Sequence, residues 1–240
     1  MTTLEGTSVS DLVAANHILV RQGVLDSFGH VSMRTAPGAD TFWLSRNLAP
    51  GSVTESDLLE HDLDGDTDDP RSPYLERFIH AEIYRRRPDV MAVVHSHSPA
   101  VVPFSTVSVP LRPVIHMAGF LDPQQTPVFE IADVAGDATD LLITSSQLGA
   151  ALAETLGDSS VALMRGHGSV AVGASVPEAV YRAVYTEVNA HAQASALALG
   201  EPRYLTAGEA AAANATVGGQ ATRAWNVWRA QAIASSAGQV

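Results

Sequence analysis

The 240-residue sequence predicts a single α/β domain. Capped, periodic helices interleave with short strands, and no linker or repeat divides the chain. The run Met91-Ala92-Val93-Val94 is apolar without alternation, the pattern of a strand buried on both faces. Composition agrees: 46% hydrophobic and 17% charged residues describe a globular chain with ample length for a core. Residues 1–240 are read as one domain, with 201–240 a helical tail.

The first element is a helix, introduced by the capping residues Thr7 to Asp11, carried by Leu12, Ala15, Ile18 and Leu19, and ended by Gly23. Ser27-Phe28-Gly29-His30-Val31-Ser32-Met33-Arg34 reads as a glycine turn into an alternating strand, and Thr41–Ser45 as a second strand followed by the polar turn Arg46-Asn47. Residues 53–59 suggest one helical turn, and the acidic run 62–69 a solvated loop with a hairpin signal at Asp64-Gly65. A helix is expected over 74–87, with Leu75, Ile79 and Ile83 on its buried stripe and Arg77 and Tyr84 on the far side. Further on come a helix over 143–156, strands over 161–164 and 169–172, and a helix of some 23 residues from Pro177 to Leu199. Trp225 and Trp228 in the tail suit docking on the body or on a neighbouring subunit.

Several classes of function are excluded by what is missing. The net charge of −12, with no basic stripe, argues against nucleic acid as a partner. There is no cysteine, and all 14 basic residues are arginine, so thiolate, Schiff-base and P-loop-lysine chemistries are absent. Carbanion chemistry would need another electron sink, and a metal ion is the obvious one. Residues 1–6 lack the regions of a signal peptide, no stretch is apolar enough to span a membrane, and the cytoplasm is the default expectation.

Candidate ligands follow from the polar residues that interrupt this pattern. His95 and His97 alternate on a strand, about 7 Å apart on one face, a spacing from which two imidazoles can converge on one divalent metal. Alone, such a pair also fits two hydrogen-bonded histidines at a strand end. Glu76 lies only about 20° round the helix from Ile83, on the edge of its buried face, where a carboxylate is either ligated, paired with His80, or bent out to solvent. His167, between Gly166 and Gly168 in a tight turn, can project into a cleft. His116, in an apolar context, reads as a satisfied core residue.

Taken together, Gly29-His30-Val31-Ser32, the Glu76 helix, Val94-His95-Ser96-His97-Ser98-Pro99 and Gly166-His167-Gly168 resemble the class II aldolase/adducin family from about Ser8 to Gly200. The resemblance implies a three-layer domain with a central, mostly antiparallel sheet flanked by helices. It also implies a divalent metal (zinc, manganese, iron or cobalt) on His95, His97 and His167, Glu76 as proton carrier, and a homotetramer. The Ser-Ser pair with which sugar-phosphate members hold phosphate is replaced by Tyr74-Leu75. Phe28–Ser32, Leu44–Pro50 and Tyr74–His80 instead resemble the branch that decarboxylates hydroxylated aromatic acids such as dihydroxyphthalate. The expected activity is therefore metal-dependent, non-oxidative decarboxylation of a small hydroxylated aromatic or dienoic acid. His30, Ser45 and Arg46 are expected to contact the substrate. The alternatives are an aldolase or epimerase acting on a hydroxy-carbonyl compound, and a non-catalytic adducin-like interaction module.

Overall fold

The computed structural model describes residues 8–237. The reading of residues 1–6 as lacking a signal peptide lies outside them. In chain order the elements are α1 (Val9–Arg21), β1 (His30–Arg34), β2 (Thr41–Ser45), β3 (Leu58–Asp62), α2 (Arg77–Arg86), β4 (Ala92–Ser96) and β5 (Val128–Phe129). There follow α3 (Ala132–Ala135), α4 (Ser146–Leu156), β6 (Val161–Met164), β7 (Gly168–Gly173), α5 (Val176–Leu199), α6 (Ala207–Val217) and α7 (Ala221–Ala237). The seven strands form one sheet in the order β3-β2-β1-β4-β7-β6-β5, antiparallel throughout except where β5 joins β6.

Helices cover both faces, as the unalternating run in β4 requires. Val94 packs with Leu12, Ile18 and Leu19 of α1 and Val180 and Val184 of α5, whereas Val93 turns the other way onto Ile79 and Ile83 of α2 and Leu152 of α4. The result is the expected three-layer arrangement. The helix starts follow the polar cues: Asp11 accepts from the Ser8 N–H, and the Ser145 and Ser175 hydroxyls accept from Leu148 and Glu178 N–H groups. The tail docks on the body, with Trp225 buried beside α1 and α5, Trp228 against Tyr185, and Arg229 paired with Asp11 at 2.8 Å. No helix among the described residues is long and apolar enough to cross a membrane.

Four local expectations are corrected. Only Glu55–Asp57 of the segment 53–59 is helical, and Leu58–Asp62 is an edge strand paired with β2. Its Glu, His and Asp have little strand propensity, and the ladder to β2 overrides them. Asp64-Gly65 does make a turn, with Gly65 at φ +82°, but no strand follows and the chain runs on to α2. That helix begins at Arg77, so Leu75 precedes it and is 61% exposed, while Tyr84 is buried. Tyr84 cannot face solvent because α2 is covered twice, by the sheet on one side and by α4 on the other. His116 lies exposed in a short 3-10 turn whose buried member is Ala118.

Candidate metal centre

Three of the four potential ligands are aimed by a neighbour on their other polar atom, whereas His167 Nδ1 is buried without a hydrogen-bond partner among the described residues. His95 is the penultimate residue of β4, in the middle of the sheet, paired with His30 on β1 and Val170 on β7. Its Nδ1–H donates to the Ser169 carbonyl at 3.2 Å, leaving the Nε2 lone pair directed outward. His97 lies beyond the end of β4, so strand alternation does not orient it. Its Nδ1 instead faces the Asp26 carboxylate at 3.4 Å, and that carboxylate is held in turn by the Phe28 and Gly29 N–H groups at 2.8 and 3.1 Å.

His167 occupies the turn between β6 and β7, and both flanking glycines are required. Gly166 sits at φ +67°, and a Cβ on Gly168 would collide with the Ser96 carbonyl. Glu76 is the residue before α2, where the positive end of the helix dipole favours a carboxylate. Its Oε1 accepts the Ile143 N–H at 2.9 Å. Burial works to raise its pKa, but contacts with His167 and His95 and the Ile143 N–H outweigh burial and hold it down to about 2.

The remaining atoms converge. His95 Nε2 lies 3.1 Å from His97 Nε2, which lies 3.2 Å from His167 Nε2. Glu76 Oε2 completes the group at 3.6 Å from His95 Nε2 and 3.5 Å from His167 Nε2. Burial pushes His95 down to about 3, so it is neutral, and its single proton is committed to the Ser169 carbonyl. His95 therefore presents an Nε2 lone pair to His97 Nε2 at 3.1 Å, an arrangement that a cation between the two nitrogens would satisfy. A tetrahedral ion with bonds of about 2.0–2.1 Å would separate its ligands by about 3.3–3.4 Å, and the four distances bracket that value. Glu76, His95, His97 and His167 are the group among the described residues able to hold such an ion.

The expected substrate contacts separate into two places. His30 is almost wholly buried beside the centre, its ring 4.9 Å from that of His95 and 4.5 Å from that of Tyr74. Ser45 and Arg46 stand at the end of β2, two strands from His95, with no contact to the four ligands. The Ser45 side chain is buried beside the Tyr74 hydroxyl, and Arg46 Nε donates to Asp57 at 2.8 Å.

Asp26 was not expected. Its signal is the Asp-Ser-Phe-Gly string, in which an Asx turn caps the Phe28 and Gly29 N–H groups. Replacing Asp26 with alanine should weaken metal affinity by roughly 10–100-fold while leaving the overall fold intact, because the loss is confined to the cap of the 26–29 turn and the orientation of His97. Calorimetric titration with zinc checks this, and unchanged affinity would show that the contact has no such role.

The family described as Class II Aldolase and Adducin N-terminal domain matches residues 10–194. The chain is 47% identical over 205 residues to Decarboxylase tropJ of Talaromyces stipitatus, covering 80% of this chain and 77% of that protein. It is 29% identical over 184 residues to the 3,4-dihydroxyphthalate decarboxylase of Arthrobacter keyseri, covering 72% of each. Among solved structures, an aldolase II superfamily protein from Pseudomonas syringae aligns with a TM-score of 0.79 at 22% identity, over 98% of this chain and 95% of that one. The L-fuculose 1-phosphate aldolase of Glaciozyma antarctica aligns with a TM-score of 0.76 at 24% identity, over 96% and 94%. At these identities the solved structures speak for the fold alone.

Proposed function

Because this chain belongs to the class II aldolase and adducin family, on its decarboxylase branch, we propose that it decarboxylates a small hydroxylated aromatic acid of the dihydroxyphthalate type. In this reading His95, His97 and His167 hold a divalent metal. The observation that carries the proposal is the convergence of three imidazole nitrogens and one carboxylate oxygen on a single point. A divalent ion bound there would supply an electrophile that stabilises negative charge on a substrate oxygen.

The protein's own groups supply the rest. Glu76 is ionised, so it first accepts a proton, from the phenolic hydroxyl of the substrate. It then returns that proton to the ring carbon as the bond to the carboxylate breaks. The bond electrons pass to the ring, carbon dioxide leaves, and aromaticity is restored. Tyr74 and Leu75 offer nothing for a phosphate: the Tyr74 hydroxyl donates to the Leu48 carbonyl and Leu75 is an exposed aliphatic residue. In this reading His30 donates to a substrate oxygen, and Ser45 and Arg46 are contacts for a second carboxylate. A homotetrameric, cytoplasmic enzyme completes this reading.

The test is incubation of zinc-, manganese-, iron- or cobalt-loaded protein with hydroxylated aromatic diacids. One carbon dioxide per substrate consumed, lost on chelation and restored by metal, is the expected result. Aldehyde release from a hydroxy-carbonyl substrate without carbon dioxide would favour an aldolase, and a protein binding no stoichiometric metal would overturn both enzymes.

A further inference from the structure

Behind the centre, four side chains form a continuous hydrogen-bonded chain between the sheet and α2. His30 Nδ1 lies 2.7 Å from His80 Nε2, His80 Nδ1 lies 2.6 Å from the Ser32 hydroxyl, and Ser32 lies 2.8 Å from the Tyr84 hydroxyl. None is more than 1% exposed. The chain exists because two periods match. His30 and Ser32 are two apart on a strand, His80 and Tyr84 four apart on a helix, and each pair presents one face to the other.

Its polarity follows from counting protons. Both rings are enclosed and hydrogen-bond no carboxylate, so a charged imidazole would lie unpaired in the interior and each ring carries one N–H. Burial raises Tyr84, which therefore keeps its proton, and the hydrogen-bond acceptor facing that proton is Ser32 Oγ. Tyr84 must then donate to Ser32, Ser32 to His80 Nδ1, and His80 Nε2–H to His30 Nδ1. The reverse order would strand the Tyr84 proton in the interior without an acceptor, at the full desolvation penalty of an unmade hydrogen bond. His30 is left with its proton on Nε2, which has no hydrogen-bond partner among the described residues and belongs to a ring packed against His95.

We propose that His80, Ser32 and Tyr84 are positioning residues that fix His30 as a neutral Nε2–H donor to a carboxylate or phenolic oxygen of the substrate. The use made of that donor rests on the decarboxylase reading, whereas the tautomer does not. The chain orients a proton and does not supply one, since Tyr84 would have to ionise in the interior for a proton to be drawn through it.

The test has an arm without substrate. In zinc-loaded protein carrying 15N-labelled histidine, the long-range 1H–15N correlation pattern should show His30 in the Nε2–H form. Tyr84→Phe and Ser32→Ala should each convert it to a mixture of tautomers. In turnover, Tyr84→Phe should lower kcat about tenfold with KM and metal content nearly unchanged, a split that loosened packing alone would not produce. A His30 protonated on Nδ1 in the unaltered protein, or a tautomer indifferent to both substitutions, overturns the proposal. So does an unchanged kcat in Tyr84→Phe once the tautomers have mixed. Failure of decarboxylation itself would leave the correlation pattern intact, which separates the two readings.

Discussion

Alanine in place of His167 is expected to strip the metal from the protein and reduce decarboxylation to background, with the apo fold unchanged. His167 sits in a turn between two strands and contributes no residue to either hydrophobic cluster, so its truncation removes a ligand and little packing. The loss of affinity should exceed the roughly 10–100-fold typical of a group that only orients a ligand. Two imidazoles and Glu76 would remain, and the distances from His167 Nε2 to His97 Nε2 and Glu76 Oε2, 3.2 and 3.5 Å, would no longer close the polyhedron. Elemental analysis and thermal denaturation of the apoprotein check both halves. Stoichiometric metal with full activity in this variant would remove His167 from the centre, and an adducin-like module without catalysis would show no activity to lose.

Glutamine in place of Glu76 should separate proton transfer from metal binding. The substitution keeps the shape, and its amide oxygen can still accept the Ile143 N–H that Glu76 accepts at 2.9 Å. The three histidines remain, so metal content should persist, whereas a neutral amide cannot take up the phenolic proton. The expected fall in kcat is about 10²–10⁴-fold, the usual contribution of a positioned acid–base group. A variant within tenfold of the parent would place the proton carrier elsewhere.

These substitutions concern residues that local patterns reached with unequal success. His167 was marked by its two glycines, and the structure gives each a reason, one conformational and one a close approach. The His95–His97 pair was visible as strand alternation, yet only His95 is on the strand, and Asp26 rather than the pleat orients His97. Glu76 was located by helical phase and expected to ligate, to pair with His80, or to turn to solvent. In fact it precedes the helix, its carboxylate is held by a main-chain N–H 67 residues away, and His80 is committed to His30 and Ser32. A single amphipathic stripe assumes one buried face and so leaves Tyr84 outside, whereas α2 has two.

What the sequence determined by itself is the chemistry on offer. Imidazoles and carboxylates stand where lysines and cysteines are absent, in a chain whose uniformly apolar strand demands helices on both faces. What only the tertiary structure decided is which of those groups meet. His30 reaches His95 through the register of β1 against β4, and His167 reaches His95 and His97 through the approach of Gly168 to the Ser96 backbone. Main-chain groups of Ser169 and Ile143, which carry no side-chain signature, turn the reactive atoms inward. Ligand geometry is set to tenths of an ångström by packing between segments far apart in the chain, and no local propensity carries that information.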